Sequence, residues 1–267
     1  MAPEAAHLLH LWLIALAFAA TLMAGVWLTA VRIRNAGIVD IAWSAGFAPV
    51  AIYFACVGDG DPVRRILIAL LVSFWSLRLG THLYVRVMGH HPTEDRRYAE
   101  LRRNWGTAVN RNFFWFFEMQ ALLLAGLSLP ALMACLNPAR SLRPLEIGGA
   151  LLFVVALSGE SMADRQLARF RNDSSNRGKV CEVGLWRYSR HPNYFFEWLI
   201  WVALFVMACS APFGWITFYC PALMLYFLLR VTGIPMTERL SLESKGASFA
   251  DYQRRVSVFI PWFPKRS

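Results

Sequence analysis

The stretch of sequence that bears most directly on the fold is Gly184-Leu-Trp-Arg-Tyr-Ser-Arg-His-Pro-Asn-Tyr-Phe-Phe-Glu-Trp198. Its first half is rich in cationic and polar side chains, and its second half begins a strongly apolar helix. Polar groups of this kind are costly near a bilayer core unless they pair with one another or hold a ligand. A second polar run, residues 164–171, ends the preceding apolar segment. The two runs predict a ligand site at a membrane surface.

The composition is that of a membrane protein. Of the 267 residues, 57% are hydrophobic and only 16% are charged, whereas soluble domains carry about 25% charged residues. Several apolar runs reach the roughly 20 residues that a helix needs to cross a hydrocarbon core. We therefore predict an all-α, polytopic protein, a bundle of seven transmembrane helices that forms a single membrane domain over residues 1–267. The predicted spans are 9–31, 36–57, 66–88, 113–135, 146–169, 194–211 and 213–232.

The net charge is +10, and the positive residues lie mainly on one side of the predicted membrane topology. Most of the 27 lysines and arginines fall in alternate loops and in the C-terminal tail. By the positive-inside rule, this bias predicts an outside N-terminus and a cytoplasmic C-terminus. The charges do not gather on a soluble module, which argues against a nucleic-acid partner. The five cysteines are scattered without paired spacing, so buried thiols are expected rather than a metal site.

Polar residues inside the second and third predicted spans are candidates for a substrate site. Asp40 lies near the cytoplasmic end of the second span, and a carboxylate inside a membrane indicates a functional role by default. A structural ion pair between Asp40 and Arg78 is the alternative. Trp75, Arg78 and His82 follow one another at about one helical turn, so they share a face. His82 is either a core histidine or part of a polar stripe opposite Asp40.

Two further expectations concern the segment that follows. Residues 89–112 predict an interfacial amphipathic helix capped by Thr93. The fourth span then opens with an aromatic run, residues 113–117, which is typical of a membrane-interface belt. Glu118 directly follows that run, and we expect it to face the same cavity as Asp40.

A larger polar set surrounds the opening stretch. It combines cationic donors with acids and an amide: Arg171, Arg190, Arg230, His191, Asn193, Tyr188, Asp164, Glu160 and Glu197, with Glu238 at the same level after the last span. A planar guanidinium group can donate two parallel hydrogen bonds to phosphate oxygens. The set therefore suits a phosphate-bearing, nucleotide-sized ligand or a sulfonium ligand. The alternative is a helix N-terminus without a ligand, in which Asn193 is the N-cap and the arginines are membrane-interface anchors. Neither GxGxxG nor GxxxxGK[ST] occurs, which excludes a Rossmann fingerprint and a P-loop.

These motifs resemble the steroid 5α-reductase-like integral membrane family, and within it a bacterial branch formerly called a domain of unknown function. The resemblance rests on Glu160…Asp164, on Gly184–Tyr194 and on Glu197. Asn35…Asp40…Trp43, Trp75-Ser-Leu-Arg78 and the closing Tyr252…Pro261 pattern extend it over nearly the whole chain. Similar Arg-His-Pro-Asn-Tyr boxes occur in sterol C14 and C7 reductases and in isoprenylcysteine carboxyl methyltransferases.

The resemblance implies a helical bundle that binds NADPH among its C-terminal helices, about residues 146–267. The substrate, a 3-oxo-Δ4 steroid or similar enone, would enter from the lipid on the side of residues 1–135. The implied cofactor-binding residues are Arg78, Glu160, Asp164, Arg171, Tyr188, Arg190, His191, Asn193, Glu197, Arg230 and Glu238. The candidate substrate-binding residues are Asn35, Trp43, Tyr53, Trp75 and Glu118.

The implied reaction is NADPH-dependent reduction of the C4=C5 double bond, a 3-oxo-5α-steroid 4-dehydrogenase-like activity. The family pairs an acid on the second helix with a tyrosine on the third to polarise the substrate carbonyl. Asp40 matches the acid, and an apolar site that keeps it neutral would let it donate a hydrogen bond. Trp75 stands where the family has the tyrosine. Tyr53, His82 or Tyr84 could supply the missing donor, and the candidate catalytic residues are Asp40, Tyr84 and His82.

Two other functions fit the same residues. A related S-adenosylmethionine-dependent methyltransferase would carry two adjacent glutamates after the last span, whereas Glu238 precedes Arg239. A sterol- or lipid-binding protein would not need the arginines gathered at one end of the bundle. The expected location is a bacterial inner membrane, with lipid as a partner and the cofactor site facing the cytoplasm. No metal is expected, and the oligomeric state is left open.

Overall fold

The computed structural model of the chain describes residues 2–89, 91–231 and 233–265, with side chains from residue 5 onward. Within these ranges the chain is helical and contains no β-strand, which confirms the all-α prediction. The α-helices are α1 (Ala2–Ile33), α2 (Ile38–Val57), α3 (Pro62–Met88), α4 (Arg96–Trp105), α5 (Val109–Leu127), α6 (Leu129–Cys135), α7 (Pro144–Asn172), α8 (Pro192–Ala208), α9 (Tyr219–Tyr226), α10 (Ile234–Lys245) and α11 (Ala247–Arg255).

Six helical segments in the described part of the chain are long and apolar enough to cross a membrane. They are Ala5–Ile33, Ile38–Val57, Pro62–Met88, Arg96–Cys135, Pro144–Asn172 and Gly214–Lys245. α8 is also apolar but only 17 residues long. The structure therefore supports a multi-pass membrane protein, whereas the seventh span and the orientation stay predictions.

The chain divides into two compact units. The first unit comprises Met1–Arg143 with Ala208–Gly214, and the second comprises Pro144–Met207 with Trp215–Ser267. The first unit contains one polar cluster, and the second contains two.

In the first unit, α2 and α3 form a tightly packed hairpin. A Cβ atom added to Gly80 would lie 3.2 Å from that of Ala45. Ser76 Oγ donates to the carbonyl of Ser44 (2.6 Å) and accepts the amide of Ala48 (3.0 Å). Small residues allow helices to approach this closely in a membrane, where close packing replaces the hydrophobic effect between helices.

The hairpin is tied at one end by Arg64, whose side chain is fully buried. Its guanidinium donates to the carbonyls of Asn137, Ala139 and Ser141 at 2.7–2.9 Å. A buried charge is tolerated when every donor meets an acceptor. Arg64 therefore holds the connector between α6 and α7 against the start of α3.

In the second unit, the stretch Gly184–Trp198 is held by hydrogen bonds on two sides. On the α7 side, Trp186 Nε1 donates to the carbonyl of Ala163 (2.9 Å), and Gln166 Oε1 accepts the amide of Leu185 (2.9 Å). Gly184 adopts φ +57°, and a Cβ atom there would collide with the side-chain amide of Gln166. Both conditions favour glycine at this position.

On the other side, the hydrogen bonds come from the segment that follows α11. Ser189 Oγ donates to the carbonyl of Phe259 (2.8 Å), and the amide of Arg190 donates to the carbonyl of Ser257 (2.9 Å). The amide of Trp262 donates to the carbonyl of Tyr188 (2.8 Å). The polar run before α8 is thus fixed by hydrogen bonds from residues distant in sequence.

Candidate functional site

The first polar cluster is built around Asp40, in the first turn of α2. Its carboxylate accepts hydrogen bonds from the hydroxyl of Tyr98 (2.6 Å) and from Arg97 Nη2 (3.0 Å), both on α4. Arg86 Nη2 lies 3.8 Å from Asp40 Oδ2. The Tyr98 side chain is buried. Asp40, Arg86, Arg97 and Tyr98 together form what we call the Asp40 cluster.

A set of ion pairs fastens α4 beside this cluster. Asp95 caps α4 through the amide of Arg97 and accepts its Nε (3.0 Å) and Nη2 (3.1 Å). Burial alone would raise the pKa of Asp95, but the hydrogen bonds and charge of Arg97 outweigh it and lower the pKa. The Glu94 carboxylate accepts hydrogen bonds from the amide of Ala36 (2.7 Å) and from Nε and Nη2 of Arg102 (2.9 and 2.8 Å). α4 is therefore held at the start of α2.

Two sequence-based expectations about this region are wrong. The cap of the amphipathic helix is Asp95 rather than Thr93, because the carboxylate of Asp95 accepts the Arg97 amide. The surroundings of Asp40 are not apolar, since a tyrosine and two arginines contact its carboxylate. Tyr98 was not among the predicted site residues, because the sequence of α4 is that of an interfacial amphipathic helix and does not indicate which helix its tyrosine faces.

The remaining candidates of the first unit lie in different settings. Asn35 is buried, and its Oδ1 accepts the amide of Gly37 (3.0 Å). Its Nδ2 makes no hydrogen bond within the described residues. Trp75 is fully buried against Phe47 (5.3 Å between ring centroids), and Trp43 meets the same ring edge-on at 4.9 Å.

Tyr84, in contrast, is exposed and lines an apolar groove of about 560 Å³ formed by α1, α2 and α3. Asp40 does not line that groove. Arg78 and His82 are half-buried on α3, and Glu118 is half-buried on α5. The hydroxyl of Tyr53 is buried without a hydrogen bond among the described residues. Roles in substrate binding or catalysis for these residues stay predictions.

The second unit contains a cluster centred on Glu238 of α10. Arg190 Nε donates to Glu238 Oε1 (2.6 Å), and Gln253 Nε2 donates to Oε2 (2.9 Å). His191 Nε2 lies 3.2 Å from the same Oε1 atom. Arg190 Nη1 also donates to the carbonyls of Gln253 (2.8 Å) and Val256 (2.7 Å). These hydrogen bonds join the loop before α8 to α10 and α11. Contact of Arg190, His191 or Glu238 with a cofactor stays a prediction.

His191 is buried, and its ring stacks on that of Tyr194. Burial lowers the pKa of His191 and outweighs the opposing hydrogen bond and charge of Glu238, while the charge of Arg190 lowers it further. The neutral imidazole donates through Nε2 to Glu238, so proton uptake by His191 is disfavoured in the folded state.

Acidification is expected to destabilise the protein through His191. Because its pKa is lower in the folded state, the unfolded state binds more protons once the pH falls through the ordinary histidine pKa of about 6.5, and stability is lost down to the folded pKa. His191→Gln keeps a donor for Glu238 but does not titrate. The fall in Tm between about pH 7.5 and pH 5.5 should therefore be smaller in His191→Gln, with the other histidines as a common background. Equal falls would contradict this role.

The third polar cluster lies between α7 and α8. Asn193 Nδ2 donates to Asp164 Oδ1 (3.3 Å), while the buried Oδ1 of Asn193 makes no hydrogen bond within the described residues. Glu160 lies one turn before Asp164 and is buried. Glu197 is also buried and accepts Trp201 Nε1 (3.2 Å). We call Glu160, Asp164, Asn193 and Glu197 the Asn193 cluster.

The close packing of α7 on α8 explains why these groups meet. A Cβ atom on Gly159 would lie 2.5 Å from the ring of Phe196. An unsatisfied buried acceptor is rare in proteins, and a ligand donor is one explanation for it. Arg171 and Arg230 are exposed, and Tyr188 is half-buried against Phe263 (5.9 Å between centroids). Among the described residues, no group of three or more His, Cys, Asp or Glu side chains could hold a metal ion.

The chain is similar to other proteins over most of its length. It is 28% identical to a protein of Schizosaccharomyces pombe, named uncharacterized protein C594.04c, over an alignment that covers 88% of this chain and 75% of that protein. No solved structure matches the chain. A family model described as protein of unknown function (DUF1295) matches residues 26–256, a range that includes all three polar clusters. The chain therefore belongs to the DUF1295 family.

Proposed function

We propose that this protein is an NADPH-dependent membrane reductase of lipophilic enones, such as the C4=C5 double bond of 3-oxo-Δ4 steroids. The observation that carries the proposal is the 2.6 Å hydrogen bond between the buried Tyr98 hydroxyl and Asp40, beside two arginines. Reduction of an enone places negative charge on its carbonyl oxygen. A positioned hydroxyl and nearby cations are the groups that stabilise such charge.

The Asn193 cluster supports the choice of a nucleotide cofactor. Its unsatisfied Asn193 Oδ1 would accept a hydrogen bond from an amide or amino group, which the nicotinamide and adenine of NADPH both carry. Exposed Arg171 and Arg230 would pair with its phosphates. The residues present therefore fit NADPH, which when bound supplies the hydride that adds to the β-carbon.

The chain's own residues would then act on the carbonyl. The Tyr98 hydroxyl would turn from Asp40 to the substrate oxygen and donate a hydrogen bond to it. A proton from water would then add to the α-carbon, which completes the saturated ketone. Arg97 and Arg86 would stay beside the Asp40 carboxylate and offset its charge. Tyr98 thus takes the place of the tyrosine that the steroid 5α-reductase-like family has on its third helix and that this chain lacks.

The proposal includes a seven-span topology. α8 would be the additional span, since its 17 residues reach the lower limit of about 17 for a transmembrane helix. The positive-inside rule supports an outside N-terminus, a cytoplasmic C-terminus and a cofactor site on the cytoplasmic side. A bacterial inner membrane is the proposed location.

The test is reduction by the purified protein in detergent. With NADPH and a 3-oxo-Δ4 steroid, the nicotinamide absorbance should fall and the saturated ketone should form in equal amount. Asn193→Leu should raise the Kd for NADPH about tenfold, because loss of a buried hydrogen bond costs about 1–3 kcal/mol. Asn104→Leu, an exposed change on α4, is the matched control and should leave the Kd unchanged.

Other outcomes would reject the reductase. Methylation of a prenyl-cysteine with S-adenosylmethionine, without ketone reduction, would make the protein a methyltransferase. Steroid binding without any turnover would make it a lipid-binding protein. An unchanged Kd for NADPH in Asn193→Leu would remove the Asn193 cluster from the cofactor site.

A further inference from the structure

The groove between α1, α2 and α3 is open and has few polar groups. One face of α1 lines it with Phe18, Leu22, Gly25 and Thr29, and α2 and the last turns of α3 supply the rest of its 560 Å³. Thr21 and Thr29 also line it, but their hydroxyl groups donate to the carbonyls of Ala17 (2.8 Å) and Gly25 (3.0 Å) in their own helix. The groove therefore suits a hydrocarbon chain, because it offers few partners to a polar ligand.

The length of the groove corresponds to one leaflet of a bilayer. All three helices are apolar enough to cross a membrane. The lining face of α1 runs from Phe18 to Thr29, which is roughly 16 Å at about 1.5 Å per residue. A hydrocarbon core is about 30 Å thick, so the groove has about the length of an acyl chain in one leaflet.

One end of the groove lies where the three helices begin or end, and two arginines follow there. Ile38 is the first residue of α2, and Met88 is the last residue of α3. On α1, Arg32 follows Thr29 by three residues and so continues the same helix face. Arg34 lies in the turn after α1, and both arginine side chains are exposed. Arginines near a membrane surface attract anionic lipids, and the guanidinium group pairs well with phosphate.

The groove is separate from the Asp40 cluster. Ile38 and Ala42 line the groove two residues before and after Asp40, so the Asp40 side chain leaves α2 about 200° away from theirs. A molecule in the groove is therefore not held at the Asp40 carboxylate.

We propose that the groove binds one acyl chain of an anionic phospholipid, whose phosphate pairs with Arg32 and Arg34. The apolar lining, the length of one leaflet and the two arginines at one end all fit such a lipid. The site goes beyond the proposed enzymatic function and does not rest on it.

The site is tested by native mass spectrometry of the purified protein, with phosphatidylglycerol and phosphatidylcholine of equal chain length supplied in equal amounts. The wild-type protein should retain one phosphatidylglycerol molecule. A Cβ atom on Gly25 would meet nothing within 4 Å, so Gly25→Phe fills the groove without displacing a helix and should reduce this retention about tenfold. Gly148→Phe is the matched control, because Gly148 on α7 is equally open but lies outside the groove, and it should leave retention unchanged.

The choice between the two lipids tests the arginines without filling the groove. Arg32→Gln should lower the preference for phosphatidylglycerol about fivefold, the usual contribution of one arginine near an anionic membrane surface. Arg140→Gln removes an exposed arginine from the connector between α6 and α7 and should leave the preference unchanged.

Three results would overturn the proposal. Equal retention of the two lipids by the wild-type protein would remove the role of the arginines. Undiminished retention in Gly25→Phe would place the lipid elsewhere on the protein. A dimeric wild-type protein that Gly25→Phe converts to a monomer would show that a second copy, rather than a lipid, occupies the groove.

Discussion

Glu238→Leu is expected to destabilise the protein by about 3–5 kcal/mol, the usual cost of removing one partner from a buried ion pair. Glu238 accepts hydrogen bonds from Arg190 and Gln253 and lies 3.2 Å from His191 Nε2. Its side chain is only 15% exposed. Without the carboxylate, the guanidinium of Arg190 keeps its two carbonyl acceptors but stays in the interior with an uncompensated charge.

The same helix provides a matched control for this prediction. Glu243 is also on α10, but its side chain is 58% exposed and its carboxylate lies 4.0 Å from Arg239. Surface pairs of this kind contribute about 0–1 kcal/mol, so Glu243→Leu should scarcely change the stability. Thermal unfolding in detergent measures both variants, and each kcal/mol corresponds to roughly 2–4 °C in Tm for a protein of this size. Equal shifts for the two variants would show that Glu238 has no structural role.

Asp40→Leu is expected to lower kcat/KM for enone reduction at least about 100-fold, the magnitude seen when one group that stabilises a developing oxyanion is lost. The carboxylate positions both Tyr98 and Arg97, and leucine can hold neither. Asp40→Asn should keep part of the activity, because the amide oxygen still accepts the Tyr98 hydroxyl. The measurement is the rate of ketone formation with NADPH.

Two comparisons make this prediction specific. Tyr98→Phe should lower kcat as strongly as Asp40→Leu if the hydroxyl contacts the substrate carbonyl. Asp59→Leu removes an exposed acid from the loop between α2 and α3 and should leave the rate unchanged. Full activity in Asp40→Leu would remove the residue from the mechanism. Thermal unfolding of each variant separates loss of activity from loss of fold.

Local sequence patterns predicted the helices well. Apolar runs of about 20 residues identified α1, α2, α3 and α7 as candidate spans, and the structure confirms helices there. The predicted span 113–135 corresponds to a longer segment, because α5 begins earlier at Val109 and Ser128 separates it from α6. Helix ends depend on individual capping hydrogen bonds, which periodicity does not contain.

The pairing of polar groups was harder to predict. Asp40 and Tyr98 are separated by 58 residues, and Arg190 and Glu238 by 48. Composition indicated that buried polar groups need partners, but the choice of partner depends on which helix faces touch. The short-range pair of Asp164 and Asn193 was easier, because one polar run directly follows the other and both were expected at the same membrane surface.

The hydrogen bonds that hold Gly184–Trp198 have a consequence for biosynthesis. Ser189 and Phe259 are joined by a hydrogen bond although 70 residues separate them. At about 5–20 residues per second, the ribosome delivers Phe259 roughly 4–14 s after Ser189. During that interval the newly made loop lacks the acceptors that later fix it, while α7 has already left the ribosome. The loop before α8 therefore reaches its final hydrogen bonding only after Ser257 and Phe259 have been synthesised. A chain that stalls before Ser257 leaves this loop without those acceptors and open to proteolysis.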